Sequence, residues 1–257
     1  MNQVYPAIQY PEPSDQISLF GAHINDVTMN QAVKMIIESK NSVGPKVGYF
    51  VNANSINLAF NKPSLINTIN LGDMTFADGS GMRLAARFKG ISLKDNINGT
   101  DLLPRLCLAA KAHDKKLFLL GSAEGIAKRT ADNLVKTYQG LQVVGSHHGY
   151  LNSNNTPNII KQINESNANI LLVGMGSPIQ EQWVEENRSL LNVDIVLAVG
   201  GLFDFYSGRI PRAPSWLREL GMEWVWRLIQ EPRVKFKRYV IGNPLFVFRL
   251  LLNSNGV

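Results

Sequence analysis

Polar and glycine residues with chemical potential follow five apolar runs of the chain. They are Asn52 and Asn54 after residues 47–51; Asp78, Gly79 and Gly81 after 74–77; Gly121 after 117–120; Gly174, Gly176, Gln180 and Glu181 after 170–173; and Gly200 and Gly201 after 195–199. Glycine lets a backbone approach a ligand closely, and the helix N-termini that follow such turns present free N–H groups to anions. A parallel sheet also needs tight turns for its own connections. Four glycine-rich turns together favour a phosphate-bearing ligand.

Asp78 is the strongest candidate for an acid or a base. It is a lone carboxylate at the end of an apolar run, beside glycines that leave it reachable. Burial could tune such a group to accept a proton from a substrate hydroxyl. An N-cap for a helix over residues 79–88 is an equally good interpretation of its position.

The other polar candidates also have structural interpretations. Asn52 and Asn54 could bind sugar hydroxyls or cap the following helix, and the cap is slightly favoured. Gln180 has no evident structural need, and its amide could bind a ligand. For Glu181, interaction with a helix dipole is a sufficient structural explanation.

A further polar pair lies in the sequence NGTD at 98–101. Asn98 and Asp101 could contact a ligand, but capping preferences favour a role for Asp101 in starting the next helix.

Several familiar motifs are missing from the sequence. There is no G-x-x-x-x-G-K-[ST] loop, no G-x-G-x-x-G after the first strand and no G-x-S-x-G elbow, which argues against P-loop NTPases, ordinary dinucleotide dehydrogenases and α/β-hydrolases. There is no D-x-D pair, and His147 and His148 should point to opposite faces of a strand, so no metal site is predicted. The single Cys107 excludes an intramolecular disulfide, and its apolar neighbours predict a buried, inert thiol.

The apolar runs predict the elements that must position these residues. Runs at 47–51, 74–77, 117–120, 141–144, 170–173 and 195–199 are typical of strands buried on both faces of a parallel sheet. Helical patterns lie between them at 29–40, 125–138, 157–166 and 179–191. This alternation predicts a doubly wound, mostly parallel α/β sheet. Residues 17–27 suggest a hairpin beside the sheet, and residues 1–16 a loose lead-in without a signal-peptide pattern.

The net charge of +6 is confined to the end of the 257-residue chain. Residues 207–257 carry nine basic and three acidic side chains and three of the four Trp, whereas residues 1–206 are balanced. We therefore predict a core over 1–206 and a basic, Trp-rich helical appendage over 207–257, with one helix over 215–230. Arg212, Arg218 and Arg227 could bind phosphate, and with the Trp residues they could instead lie at an anionic membrane. A nucleic-acid patch is disfavoured, because the core is neutral and carries no nucleic-acid motif. The apolar stretch 240–252 is too short to cross a bilayer, so a cytoplasmic or membrane-surface protein is expected.

A set of short motifs runs along nearly the whole chain, from residue 17 to residue 250. They are FG at 20–21, DVT at 26–28, NAN at 52–54, ADGSG at 77–81, NGTD at 98–101, LLG at 119–121, HGY at 148–150, GMGSPIQE at 174–181, VGG at 199–201, FD at 203–204, RAP at 212–214 and EW at 223–224. In this order and spacing the sequence resembles the WecG/TagA/CpsF glycosyltransferase family.

The resemblance implies a Rossmann-like enzyme of the GT-E type. Such an enzyme moves a sugar from a UDP-sugar to a polyprenyl-diphosphate-linked saccharide with inversion and without an essential metal, in bacterial surface-polysaccharide synthesis. N-acetylmannosamine, its uronic acid and glucose all occur as donors. The family's catalytic base falls on Asp78, its sugar-contacting positions on Asn52 and Asn54, and its motif glutamine on Gln180. Asn96 is a departure, since some members carry an arginine there.

The resemblance also places the appendage at the active site and at the inner face of the cytoplasmic membrane. Its arginines would then neutralise the UDP leaving group. Two other classes stay open: a nucleotide-sugar-binding module without catalysis, and a basic membrane scaffold for polysaccharide enzymes. Exposed apolar surface at the C-terminus could also drive self-association.

Overall fold

The computed structural model describes residues 16–253, so the predicted lead-in lies outside the described residues except for Gln16. The strands are β1 (Gln16–Leu19), β2 (Ala22–Asn25), β3 (Lys46–Val51), β4 (Met74–Ala77), β5 (Lys116–Gly121), β6 (Gln142–His147), β7 (Ile170–Gly174) and β8 (Ile195–Ala198). The helices are α1 (Met29–Ile37), α2 (Ala53–Asn61), α3 (Ser64–Asn70), α4 (Ser80–Phe88), α5 (Gly99–Ala112), α6 (Ile126–Thr137), α7 (Thr156–Glu165), α8 (Ile179–Asn187), α9 (Leu202–Tyr206), α10 (Ser215–Glu219), α11 (Glu223–Gln230), α12 (Pro232–Phe236) and α13 (Gly242–Asn253).

Six strands form one parallel sheet in the order β4-β3-β8-β7-β5-β6. Val51 is in register with Ala77, and Val173 with Ala198, so the carboxyl ends of these strands meet at one edge. The predicted α/β fold with a parallel, Rossmann-like sheet is thereby confirmed. The predicted hairpin is also confirmed, because β1 pairs antiparallel with β2 beside the sheet.

The sheet is buried on both faces between two apolar layers. Successive residues of a strand belong to opposite layers: Val51 and Val173 pack in one, Phe50 and Leu172 in the other. This two-sided burial is the reason that the strands appear in the sequence as continuous apolar runs rather than as alternating patterns. Only the edge strand β6 departs from it, with partly exposed residues along its length.

The predicted helix over 215–230 is wrong in its continuity. The chain forms α10 and α11 instead, and the break falls at Gly221, whose φ is +71°. A left-handed residue ends a helix, and glycine adopts that conformation without a steric penalty. The break turns Leu220 outward, where it is 66% exposed, while Leu217 stays buried.

The last helix docks on the core through α2. Asn57 donates from Nδ2 to the carbonyl of Gly242 over 2.7 Å, and its Oδ1 accepts from Arg249 over 2.7 Å. The Arg249 guanidinium also lies 4.2 Å from the ring centre of Phe60. Buried Phe246 adds an apolar contact beside Gly81 in α4. Residues 242–253 are thus held against the end of the sheet that carries the candidate residues. Among the described residues no helix combines the length and apolar character needed to cross a bilayer.

Candidate active site

Asp78 lies at the carboxyl end of β4, on a short loop before α4. Its backbone N–H donates to the carbonyl of Val51 over 2.8 Å, which holds the loop against the neighbouring strand. The next residue, Gly79, has a φ of +90°, and its N–H donates to Oδ1 of Asn96 over 2.6 Å. Asn96 therefore supports the Asp78 loop directly. The left-handed backbone at Gly79 would strain any other residue.

The carboxylate of Asp78 is not a helix cap. The N-cap residue of α4 is Gly79, and no side chain caps this helix. Among the described residues, the Asp78 side chain has one hydrogen-bond partner: Asn52 donates from Nδ2 to its Oδ2 over 3.1 Å. Of the two interpretations of Asp78, capping is thereby excluded, and one carboxylate oxygen is left for a ligand.

Asn52 caps α2, as one of its two interpretations predicted, and also contacts Asp78. Its Oδ1 caps α2 by accepting from the backbone N–H groups of Asn54 and Ser55, each over 3.1 Å. Because the cap fixes the Oδ1 end of the amide, the Nδ2 end must point towards Asp78. The cap therefore orients the donor that holds the candidate base.

The environment of Asp78 raises its pKa. Burial is the largest cause, and the nearby charge of Asp101 acts in the same direction. The hydrogen bond from Asn52 and the positive charge of Arg238 oppose it but do not outweigh it. A carboxyl group with a raised pKa is a stronger base once ionised, as proton abstraction from a hydroxyl requires.

A second group of charges forms at the start of α5. Asn98 caps this helix, accepting from the backbone N–H of Asp101 over 2.8 Å and donating to its carboxylate over 2.7 Å. Arg212 hydrogen bonds to the same carboxylate, and Arg218 lies 3.6 Å from it. Burial would raise the pKa of Asp101, but these partners lower it below its usual value. The structure thus brings four predicted site residues together in one ion-paired cluster: Asn98, Asp101, Arg212 and Arg218.

Glu223, at the start of α11, faces this cluster. Burial raises its pKa, and the charges of Asp78 and Asp101 add to the shift, although Arg212 opposes it. Its Oε1 lies 3.9 Å from Nε of Arg212, and neither atom has a hydrogen-bond partner among the described residues. Two buried polar atoms facing each other without hydrogen bonds are unusual and mark a place where a polar ligand group would be accommodated.

Gln180 connects two of the glycine-rich turns. It is buried, and its Oε1 accepts from the N–H groups of Gly176 over 3.2 Å and Gly200 over 2.9 Å. Its Nε2 donates to Glu181 over 2.9 Å and to the carbonyl of Ala198. Every hydrogen-bonding end of this amide is occupied by protein, so Gln180 has the structural task that the sequence did not reveal. The N–H groups of both glycines are used in the same way.

Other turn residues are also set by packing. A Cβ added at Gly121 would lie 2.4 Å from the carbonyl oxygen of Gly174, so the ends of β5 and β7 can approach only with glycine. Glu181 is buried behind the turn, and its Oε1 accepts from Ser177 over 2.6 Å. These residues shape the edge of the sheet from behind it.

A cationic group lies in front of the turn after β8. The guanidinium of Arg227 would be 3.3 Å from a Cβ at Gly201 and lies 4.7 Å from the ring centre of Phe205. Glu231 holds it over 3.0 Å. Lys235 also pairs with Glu231, and its pKa is lowered, first by burial and then by the charge of Arg227. Glu231 is thus the carboxylate that joins these two cations, and Asp204 lies 3.9 Å from Arg227 as a second one.

Two further predictions concern the histidines and the cysteine. The rings of His147 and His148 are in contact, with centres 4.2 Å apart and planes tilted by 46°. The expectation that they point to opposite faces is therefore wrong, because His148 lies beyond the end of β6. Within residues 16–253, no three His, Cys, Asp or Glu side chains are grouped so as to hold a metal ion. Cys107 is buried as predicted, and burial raises its pKa to about 12.

Comparison with known proteins identifies the family of the chain. A model of the WecG/TagA/CpsF family of glycosyl transferases matches residues 17–256. The chain belongs to this family. The resemblance inferred from the motifs is confirmed, and the protein is a glycosyltransferase.

Curated relatives of this glycosyltransferase share about a quarter of its residues. A Bacillus subtilis protein is 27% identical over 75% of this chain and 76% of its own length. One from Bacillus spizizenii is 25% identical over 99% of this chain and 93% of its own length. One from Staphylococcus aureus is 26% identical over 91% of this chain and 92% of its own length. All three are named N-acetylglucosaminyldiphosphoundecaprenol N-acetyl-beta-D-mannosaminyltransferase.

Sequence reasoning missed several residues of the glycosyltransferase site. Arg238 acts on Asp78 through its charge and Glu223 responds to Asp78, yet neither was predicted to be a site residue. Glu223 was noted only within the motif EW at 223–224, and Asn96 only as a departure from the family. A signal did exist for Glu223, which is one of three acidic residues in a basic segment. For Asn54, the only described polar contact is through its backbone.

Proposed function

We propose that this enzyme is an inverting transferase that moves a hexose or N-acetylhexosamine from a UDP-sugar to a polyprenyl-diphosphate-linked saccharide in cell-surface polysaccharide synthesis. The observation that carries the proposal is the Asp78 carboxylate, held by Asn52 through one oxygen at the sheet edge and acted on by the positive charge of Arg238 from the C-terminal segment. This is the arrangement needed to activate a hydroxyl beside an anionic leaving group.

The proposed step is a single displacement. Asp78 takes the proton of an acceptor hydroxyl, and the oxygen attacks the anomeric carbon on the face opposite the UDP. The new C–O bond forms as the bond from the anomeric carbon to the diphosphate oxygen breaks, and UDP departs with that electron pair. One displacement inverts the configuration at the anomeric carbon.

The departing diphosphate needs positive charge. We assign this task to the C-terminal cations, because Arg227 lies against Gly201 and Arg238 acts electrostatically on Asp78. Arg212 and Arg218, paired with Asp101, would hold the acceptor side. Guanidinium groups bind phosphate oxygens in bidentate fashion, so they can supply the charge stabilisation that a metal ion supplies in other transferases. We expect the reaction to be independent of added metal.

The relatives favour one donor among the three considered. Their names describe the transfer of N-acetylmannosamine to N-acetylglucosaminyl-diphosphoundecaprenol. We therefore propose UDP-N-acetylmannosamine as the first donor to test, with that lipid-linked amino sugar as the acceptor.

The acceptor's lipid implies a membrane surface. Of the 24 large apolar side chains that are exposed among the described residues, 13 belong to the C-terminal segment, together with nine cations in residues 207–257. We propose that this segment holds the enzyme peripherally at the inner face of an anionic membrane, where each basic residue near the surface contributes about 1 kcal/mol. Binding should weaken as salt rises.

A UDP-release screen tests the proposal. Purified enzyme is incubated with UDP-N-acetylmannosamine, its uronic acid form or UDP-glucose, and with a short-chain prenyl-diphosphate N-acetylglucosamine, with and without EDTA. We expect release with one donor, dependent on the acceptor and unchanged by EDTA. Binding of a UDP-sugar without turnover on any acceptor would instead support a non-catalytic module. Absence of UDP-sugar binding would support a scaffold.

A further inference from the structure

An apolar groove of about 780 Å³ runs between two helices of the C-terminal segment. Trp224, Val225 and Leu228 of α11 form one wall, and Val247 and Phe248 of α13 belong to the other. Of these side chains, that of Phe248 is 58% exposed to solvent. The groove is open to solvent along an almost wholly apolar surface, which is costly unless an apolar group occupies it.

The segments that carry both walls of the groove contact the start of α4, the helix that follows the Asp78 loop. On one side, Ser80 donates from Oγ to the carbonyl of Gly221 over 3.0 Å, immediately before α11 begins. On the other side, a Cβ at Gly81 would lie 3.4 Å from the ring of Phe246 in α13. Since Ser80 and Gly81 follow Asp78 by two and three residues, the segments that form the groove are anchored close in the chain to the candidate base.

A cation lies at the edge of the groove. Tyr239 lines the groove and packs against Trp224 with ring centres 5.9 Å apart. The guanidinium of the preceding Arg238 lies 5.2 Å from the centre of the Tyr239 ring, and its charge acts on Asp78. The Nε of Arg238 is buried without a partner among the described residues. The order along the surface is therefore carboxylate, cation and apolar groove.

This order matches the parts of one kind of molecule: a sugar hydroxyl, a diphosphate and a hydrocarbon chain. We propose that the groove between α11 and α13 binds the first isoprene units of the acceptor's polyprenyl chain, an inference that rests on the proposed function. The lipid would then be recognised by the enzyme itself, and its chain would leave the membrane by a few isoprene units to enter the groove.

Calorimetry without lipid or detergent tests the groove independently of turnover. The probes are a C15 isoprenyl diphosphate and inorganic diphosphate, which share the anion and differ in the chain. We expect the wild-type protein to bind the C15 probe at least ~10-fold more tightly, since burying two methylene-sized groups suffices for that factor. Val247→Trp fills the groove and should reduce the preference to less than about threefold. The matched Val234→Trp, at a 68% exposed position outside the groove, should keep it.

Three results would overturn the assignment: equal binding of both probes by the wild type, an unchanged preference in Val247→Trp, or an equal loss in both variants. Sedimentation with neutral vesicles separates the main rival. If both variants alter vesicle binding equally and Val247→Trp keeps its C15 preference, the groove wall is a membrane-inserted surface instead. UDP release without a C15 preference overturns the groove alone, whereas a C15 preference without UDP release on any donor overturns the transferase proposal alone.

Discussion

Replacing Asp78 by Asn should abolish transfer while making the protein more stable. The amide has the shape of the carboxylate and keeps an oxygen to accept the 3.1 Å hydrogen bond from Asn52, so the loop geometry should survive. What is lost is the ability to take a proton. General-base catalysis contributes about 10²- to 10⁴-fold, so kcat should fall by that factor, or ~3–5 kcal/mol of barrier.

The stability change follows from the raised pKa. Burial disfavours the ionised form of Asp78, so the wild type has stability at low pH that it loses as pH rises through the folded-state pKa. An asparagine carries no charge at any pH, so the variant does not lose this stability as the pH rises. Asp78→Asn should therefore match the wild type near pH 4 and exceed it near pH 8, by ~0.5–2 kcal/mol, the range of single stabilising substitutions.

The assay combines UDP release at equal folded protein with urea unfolding at the two pH values. In the wild type, kcat/KM should fall as pH falls through the pKa of Asp78, and this limb should vanish in the variant. Asp132→Asn is the matched control, because Asp132 lies on α6 in an exposed pair with Lys128, away from the site. It should leave both activity and its pH profile unchanged.

Retention of more than about a tenth of wild-type turnover by Asp78→Asn would refute the base assignment. A wild-type acidic limb that persisted in the variant would refute it as well, since another group would then be titrating. If Asp78→Asn were less stable than the wild type at pH 8, the inference that burial of the ionised Asp78 destabilises the protein would be wrong, even if the variant had lost its activity.

Three other predictions follow from single contacts. Arg238→Gln removes a charge that lowers the pKa of Asp78, so the acidic limb of the kcat/KM profile should move to higher pH; an unmoved limb would contradict the coupling. Gln180→Ala leaves buried donors and acceptors unpaired and should lower the free energy of unfolding by ~1–3 kcal/mol in urea. The exposed Gln182→Ala should change it by less than about 0.5 kcal/mol, and equal effects would refute the bridging role. Cys107, with its pKa raised to about 12, should resist a disulfide reagent at pH 8 in native protein and react once urea unfolds it; rapid native labelling would show that the thiol is accessible.

The strands were predictable because their signal is local. Residues 74–77 form a run with Thr75 as its one polar residue, and β4 has those bounds, since a strand covered on both faces is mostly apolar. Asp78 and Asn52 could be placed together for a related reason. The carboxyl ends of parallel strands meet at one edge, so residues that follow adjacent strands become neighbours whatever lies between them.

The roles of Gln180 and Gly221 were not predictable in this way. Gln180 forms hydrogen bonds across 20 residues to Gly200, and such a contact leaves no periodic trace in the sequence. The apolar spacing over 215–230 suggested one helix, but the carbonyl of Gly221 is instead directed to Ser80, 141 residues earlier. In both cases the residue forms a hydrogen bond to a residue far away in the sequence, and this bond is visible only in the tertiary structure.

The sequence by itself determined the class of fold, the family and the edge of the sheet where chemistry would occur, because burial pattern, motif order and net charge are properties of the chain. The tertiary structure decided what each residue does at that edge. It excluded Asp78 from capping, occupied the amide of Gln180 with protein contacts, and coupled the charges of Arg238 and Glu223 to that of the candidate base. The physical reason is that hydrogen-bond satisfaction and electrostatic coupling depend on distances in space, and these exist only once the C-terminal helices have folded back onto the sheet.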